Sequence, residues 1–297
     1  MKRFPIVQPG IAAACTLIFA GLSPVAYAAH SKLHLERVVA DEASIYAVAV
    51  EVVGPTEILL WDAQFHLADA KRLADQIASS GKHLKAIVIS HPDGDHYDGA
   101  AAILERFPGT PVYMTAMALE IYDKTAAESF QKAKARTPDL FPSSLVTPQV
   151  LPSMHLAVDG EDVEVVPDLQ GDMHTNSDSF LWIPSLRAIL AGDIVFSGVH
   201  VYLSSSTESS RAAWRESIKR MSDLHPRVVV AGHIKDTTAK DSPDLLKFMD
   251  SYLSDFDTLR MQSPDAQALF MAMSKKYPGL AIPRFLQASA NAAYATK

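Results

Sequence analysis

A chain of 297 residues, 48% of them hydrophobic, can bury the core of one large domain or two small ones. Its 34 acidic side chains outnumber 27 basic ones, a formal charge of −7; such a surface repels polyanions, and no basic run is present to track a nucleic-acid backbone. No nucleic-acid partner is therefore expected, whereas a small-molecule substrate, even an anionic one, is compatible with this balance.

The chain opens with the pattern of a secretory signal. Lys2 and Arg3 form a positive n-region, Ile11 to Leu22 an apolar h-region, and Ala26-Tyr27-Ala28 a small-x-small cleavage site. Residues 1–28 are thus expected to be removed and residues 29–297 to form a single domain with a helical C-terminal extension. The h-region falls short of the ~20 apolar residues of a spanning helix, so no membrane span is expected after cleavage. A retained N-terminal anchor is the alternative. Cys15 is the only cysteine, and Ala12-Ala13-Ala14-Cys15 lacks the aliphatic residue that starts a lipobox. A mature chain without cysteine has neither disulfide nor thiolate ligand, and in an oxidising compartment its core alone must hold it together. Loss of Lys2 and Arg3 leaves 25 basic residues against 34 acidic ones, a formal charge of −9. The expected location is periplasmic or secreted; the sequence leaves the oligomeric state open.

Leu33 to Gly54 alternates and is rich in Val and Ala, which reads as two strands; Glu57 to Trp61 reads as a third. Leu67 to Ser80 places Leu67, Ala70, Leu73, Ala74 and Ile77 at helical spacing, and Gly81 stops it. A strand at Leu84–Ile89, a helix at Gly99–Phe107 and a strand at Pro111–Met114 follow. This alternation is the signature of an α/β layer fold. Ala116 to Ala135 reads as helix. Thr137 to Pro152, with four prolines, reads as a surface loop or lid. Asp159-Gly160 sits at the start of a hairpin running to Val166. Strands at Ser179–Ile183 and Arg187–Leu190, a helix at Ser209–Leu224, a strand at Arg227–Val230 and a mostly helical tail from Ser242 complete the chain. No internal repeat is present.

The densest chemistry lies in Ser90-His91-Pro92-Asp93-Gly94-Asp95-His96-Tyr97, where four side chains able to bind a metal fall within six residues at the end of an apolar strand. Imidazole nitrogens with carboxylate oxygens suit Zn²⁺ or another divalent first-row ion. Three later segments repeat the pattern: His174 in Gly171-Asp172-Met173-His174-Thr175, Asp193 closing Ile189-Leu190-Ala191-Gly192-Asp193, and His233 closing Val229-Val230-Ala231-Gly232-His233. Strand ends that converge on one rim of a sheet would gather all of them.

Taken in order from about Ile45 to about Lys235, this set resembles the metallo-β-lactamase-fold hydrolases. Their His-x-His-x-Asp-His motif stands here as His91-x-Asp93-x-Asp95-His96. Their later His, bridging Asp and final His match His174, Asp193 and His233, and Trp61-Asp62 matches the strand that ends in Asp before the first helix. The resemblance implies a four-layer αββα sandwich and one or two metal ions. One would be held by His91, Asp93 and His174, the other by Asp95, His96 and His233, with Asp193 bridging. Asp93 stands where His is usual. The ion can then remain Zn²⁺ with a less acidic bound water, or shift to Mn²⁺ or Fe²⁺; the alternative is that Asp93 points away and leaves one tight site. The same variant motif is similar to that of the DNA-uptake branch of the fold, whose nuclease function the signal peptide and acidic charge argue against.

The implied activity is metal-dependent hydrolysis of an ester, lactone, lactam or related small-molecule bond by a metal-activated hydroxide, with Asp95 also orienting the nucleophile and accepting its proton. Two other readings stand beside it: a non-hydrolytic metal- or ligand-binding protein on the same fold, and a nuclease or phosphodiesterase. His30, His34, His66, His83, His155 and His225 have no partner motif and read as surface or structural residues, and Tyr97 reads as packing. His200 and Tyr202 are candidates for the pocket mouth, and Lys235 for a substrate carboxylate. No Gly-x-Ser-x-Gly elbow is present, which argues against a serine hydrolase.

Overall fold

The computed structural model describes residues 1–2 and 31–295, so all but the first two residues of the expected leader lie outside it. The sequence from Ser31 builds two sheets between helices. In the first sheet, β1 (His34–Val39), β2 (Val48–Val53) and β3 (Glu57–Trp61) are antiparallel neighbours, and β4 (His83–Val88), β5 (Val112–Met114) and β6 (Gln149–Val150) continue parallel to β3. The crossovers carry α1 (Leu67–Ser79), the one-turn α2 (Gly94–Tyr97), α3 (Ala100–Arg106) and α4 (Ala116–Arg136). Both faces of this sheet are apolar. Val48, Val50, Val52, Leu59 and Trp61 belong to one core with the second sheet, while Ala49, Val53, Ile58 and Leu60 join a second core beneath α1, α3 and α4.

The second sheet comprises β7 (His155–Val158), β8 (Glu161–Leu169), β9 (Asp178–Ile183), β10 (Ala188–Leu190) and β12 (Val228–Val230), in the order β12-β10-β9-β8-β7. A short parallel pair, β11 (Phe196–Ser197) and β13 (His233–Ile234), stands apart from it. Asp159 and Gly160 both have positive φ, 48° and 83°, as a two-residue hairpin between β7 and β8 requires. The outer layer is α5 (Glu208–Asp223), α6 (Asp244–Gln262), α7 (Ala266–Lys276) and α8 (Pro283–Tyr294), whose Trp214, Met249, Tyr252, Phe256 and Leu286 enter the core of the second sheet. The layers are therefore helix, sheet, sheet, helix, the α/β sandwich expected from the sequence.

Thr137–Pro152 departs from a simple surface loop. A 3₁₀ turn at Pro138–Leu140 delivers Phe141 into contact with Phe130, Phe65 and His66, and Gln149–Val150 adds an edge strand. An edge position beside Pro148 tolerates the missing donor of proline.

Candidate metal centre

The site forms where both sheets end. After β3 the backbone turns left-handed at Asp62 and Gln64, with φ of 63° and 69°. That turn sends the Asp62 carboxylate beneath the chain leaving β4. Asp62 accepts from the Ser90 backbone at 2.7 Å and the Ser90 hydroxyl at 2.9 Å, and His96 Nδ1 donates to it at 2.9 Å. Asp93 accepts from the Gly94 amide at 2.7 Å and so caps α2, whose single turn carries Asp95 and His96 inward. On the second sheet, Gly192 with φ of 52° swings Asp193 out of β10, and a Cβ on Gly232 would collide with the Asp193 carboxylate. The Trp214 indole donates to the Ile194 carbonyl at 2.9 Å and fixes that turn.

Three histidines present Nε2 to the interior because Nδ1 is occupied. His96 Nδ1 is held by Asp62, and His233 Nδ1 donates to the Ile45 carbonyl at 2.8 Å. His91 Nδ1 meets the Ser90 hydroxyl at 2.8 Å. These partners set the tautomers. Two groups result, each with ligand atoms within 4.8 Å of one another: Asp95, His96, Asp193 and His233, and His91, Asp93 and Asp172. In the first, His96 Nε2 lies 3.1 Å from Asp193 and 3.4 Å from Asp95, and His233 Nε2 lies 3.0 and 3.2 Å from the same two carboxylates.

A neutral Nε2 and a carboxylate are both acceptors, so these groups face each other without a donor between them. Only added positive charge resolves that, either protons or metal ions, and the residues fit a divalent ion on this ground. The titration directions agree. Burial lowers His96 and His233, but Asp193 and Asp95 outweigh it, raising His96 well above the ordinary value and His233 to about 10. Burial raises Asp95 and Asp193, yet His96 and His233 hold both below the usual carboxylate range. His91, which has no carboxylate within hydrogen-bond distance, is pushed down to about 4 by burial and by His96. Burial and neighbouring carboxylates push Asp93 up to about 7 and Asp98 up to about 8.

The structure brings His91, Asp93, Asp95, His96, Asp193 and His233 together and leaves His174 out. His174 is exposed and belongs to neither ligand group; the buried ligand-type side chain of its loop is Asp172. The loop is pinned before it reaches His174. Asp178 accepts from the Gly171 amide at 3.0 Å, a Cβ on Gly171 would strike Asp178, and the Gln170 amide donates to the Gly171 and Met173 carbonyls at 2.9 and 2.6 Å. That anchoring turns Asp172 inward and His174 outward. Asp193, expected to bridge, groups with Asp95, His96 and His233.

The groups floor a cavity of about 570 Å³ walled by Ile45, Phe65, Tyr202 and Phe285, with Arg136 at the end of α4 also lining it. Tyr202 thus lies where the sequence suggested, whereas His200 is buried against the Tyr252 hydroxyl at 2.9 Å and Lys235 is exposed outside the lining. Tyr97 packs on Tyr122 at 4.8 Å. Phe65, Arg136 and Phe285 carried no sequence signal, since single aromatic or basic residues outside a motif look like core or surface.

A family model described as the metallo-beta-lactamase superfamily matches residues 41–233. The chain belongs to that superfamily, which together with the metal-competent site supports a metal-dependent hydrolase in general terms. Among solved structures it is similar to a metallo-beta-lactamase family protein from Thermus thermophilus, with 18% identity, TM-score 0.62, and 88% of this chain and 91% of that one covered. It is also similar to a metallo-beta-lactamase from Pontibacter korlensis (18% identity, TM-score 0.51, 70% and 87% covered) and to the DIM-1 metallo-beta-lactamase (16% identity, TM-score 0.54, 75% and 93% covered). At these identities the likeness concerns the fold. No curated protein matches the chain.

Proposed function

We propose that this chain is an exported hydrolase of small molecules that cleaves an ester, lactone, lactam or related bond with Zn²⁺ in at least its His96–His233 group. The observation that carries the reading is the set of inward Nε2 atoms facing buried carboxylates at the floor of a cavity. A divalent ion held there by Asp95, His96, Asp193 and His233 would supply Lewis acidity and would lower the pKa of a bound water toward neutrality. Asp62 and the Ile45 carbonyl fix the rings of His96 and His233. Asp95 lines the cavity, where its carboxylate orients the nucleophile and takes its proton. Phe65, Tyr202 and Phe285 exclude water and hold an apolar substrate body, and the Arg136 guanidinium offers a partner for an anionic group.

The leader pattern supports removal of residues 1–28 and a periplasmic or secreted location for the mature enzyme. N-terminal sequencing of chain recovered from the exported fraction checks this; a chain that keeps residues 1–28 in the cytoplasm overturns it.

The activity test uses Asp95→Ala and His96→Ala. Each should lose bound metal and at least ~100-fold in hydrolysis on a panel of lactams, lactones, thioesters, phosphoesters and sulfate esters, each in neutral and anionic form. A metal-free variant as fast as the parent, or a metal-loaded parent inert to the whole panel, sinks the proposal.

A further inference from the structure

We propose that the two ligand groups hold different ions: Zn²⁺ between Asp95, His96, Asp193 and His233, and an oxygen-preferring divalent ion of the Mn²⁺ type between His91, Asp93 and Asp172. The inference rests on the metal-dependent reading above and goes beyond it in assigning Asp172 as a ligand and in making the two positions chemically unequal.

The second position is built, not merely acidic. His91 is fully buried, with Nδ1 tied to Ser90 and Nε2 without a hydrogen-bond partner. Asp172 is 3% exposed, and its Oδ1 also has no partner. These two orphaned atoms lie 3.9 Å apart, too far for a hydrogen bond and within the spread of a shared ion. Burying an acceptor without a donor is costly, so two of them facing each other call for a proton or a cation, and the Asp93 carboxylate beside them completes a three-ligand set that a divalent ion would satisfy. Asp93 closes the set from the N-cap of α2 and lines the cavity.

The donor sets then decide the ions. One group has two imidazoles and two carboxylates, a mixture that suits Zn²⁺. The other has one imidazole and two carboxylates, and oxygen-rich sites suit Mn²⁺, Mg²⁺ or Ca²⁺ better than they suit zinc. Asp98 and Asp178 are two further buried carboxyl groups, each with an Oδ1 without a partner. Geometry and donor type must impose this selectivity, because raw affinity alone would place zinc in both positions.

The test strips the full-length protein with a chelator and dialyses it against equal Zn²⁺ and Mn²⁺. Bound metal is counted by plasma emission, and bound Mn²⁺ is read by electron paramagnetic resonance. The parent should hold about one ion of each kind, Asp172→His should exchange its Mn²⁺ for a second Zn²⁺ with at least a tenfold fall in bound Mn²⁺, and His174→Ala should match the parent. Asp172→Ala should empty the Mn²⁺ position and keep the Zn²⁺. Two Zn²⁺ in an active parent overturn this inference and leave the hydrolase reading standing. So does loss of Mn²⁺ in His174→Ala with retention in Asp172→Ala. A parent that binds no divalent ion overturns both.

Discussion

Glu51 shows how a single carboxyl sets a pH dependence outside the metal centre. It lies in β2, 1% exposed, directly across from Glu36 of β1, and accepts from the Gln76 amide at 2.9 Å. Burial and the Glu36 charge raise its pKa from 4.5 to about 7. Between those values the folded chain holds a proton that the unfolded chain has released, so its stability falls as pH rises and the loss is complete above pH 7. Like charges opposed across two strands add to the cost. Glu51→Gln abolishes the titration. Relative to the parent, the variant should be neutral at pH 5 and gain on the order of 1–2 kcal/mol at pH 8, read from urea unfolding at the two values. An equal difference at both pH values removes Glu51 as the cause.

The 3₁₀ turn Glu42–Ser44 does for His233 what a dedicated side chain does for His96. Asp41 caps it through the Ala43 and Ser44 amides at 2.9 and 3.3 Å, and the chain leaves it through two left-handed residues, Ile45 and Tyr46, with φ of 50° and 59°. That unfavourable backbone aims the Ile45 carbonyl at His233, and the buried Ser44 hydroxyl secures it by meeting His66 Nδ1 at 2.8 Å and donating to Asp69 at 2.6 Å. Ser44→Ala should cost about 1–3 kcal/mol in denaturant unfolding of the metal-free chain, because it leaves buried His66 and Asp69 atoms unpaired. A loss under about 0.5 kcal/mol means the turn holds without this contact. Elements of this kind escape sequence reading. Long periodic segments such as Leu67–Ser79 and alternating ones such as Val48–Val53 announce themselves, because their burial pattern repeats over many residues. The two-residue strands β6, β11 and β13 have too few residues for any period, and their pairing partners lie far away in sequence. The same limit applied to the site. His91, Asp95, His96, Asp193 and His233 were legible because each closes or follows a strand in a known order. Choosing between Asp172 and His174 required the bonds of Gly171 and Gln170, which no spacing encodes.

At the scale of the whole molecule, the metal centre is a seam between the two sheets. His91, Asp95 and His96 follow β4 of one sheet, while Asp172 precedes β9, Asp193 follows β10 and His233 lies in β13. Ions held by these residues would tie strand ends from both halves of the sandwich, and the unfolded chain offers no comparable cluster. Binding to the folded form alone stabilises by about 2.7 kcal/mol when free ion stands at 100 times its dissociation constant. For a domain of this size each kcal/mol shifts the melting temperature by ~2–4 °C, so stripping with a chelator should lower it by about 5–10 °C for each ion removed. Returning the ions should restore it. Without them, Asp172 and Asp178 are raised well above the ordinary value by burial and by Asp193, so the stripped chain should also bind extra protons. Acidification protonates carboxylates that an ion needs bare, and the metal-dependent gain in melting temperature should therefore shrink as pH falls. Calorimetry of stripped and reloaded protein at pH 5.5 and 7.5 measures both effects. Identical melting curves for a stripped and a fully loaded chain would mean that the ions sit on a scaffold already complete, and that the buried carboxylates are satisfied by protons alone.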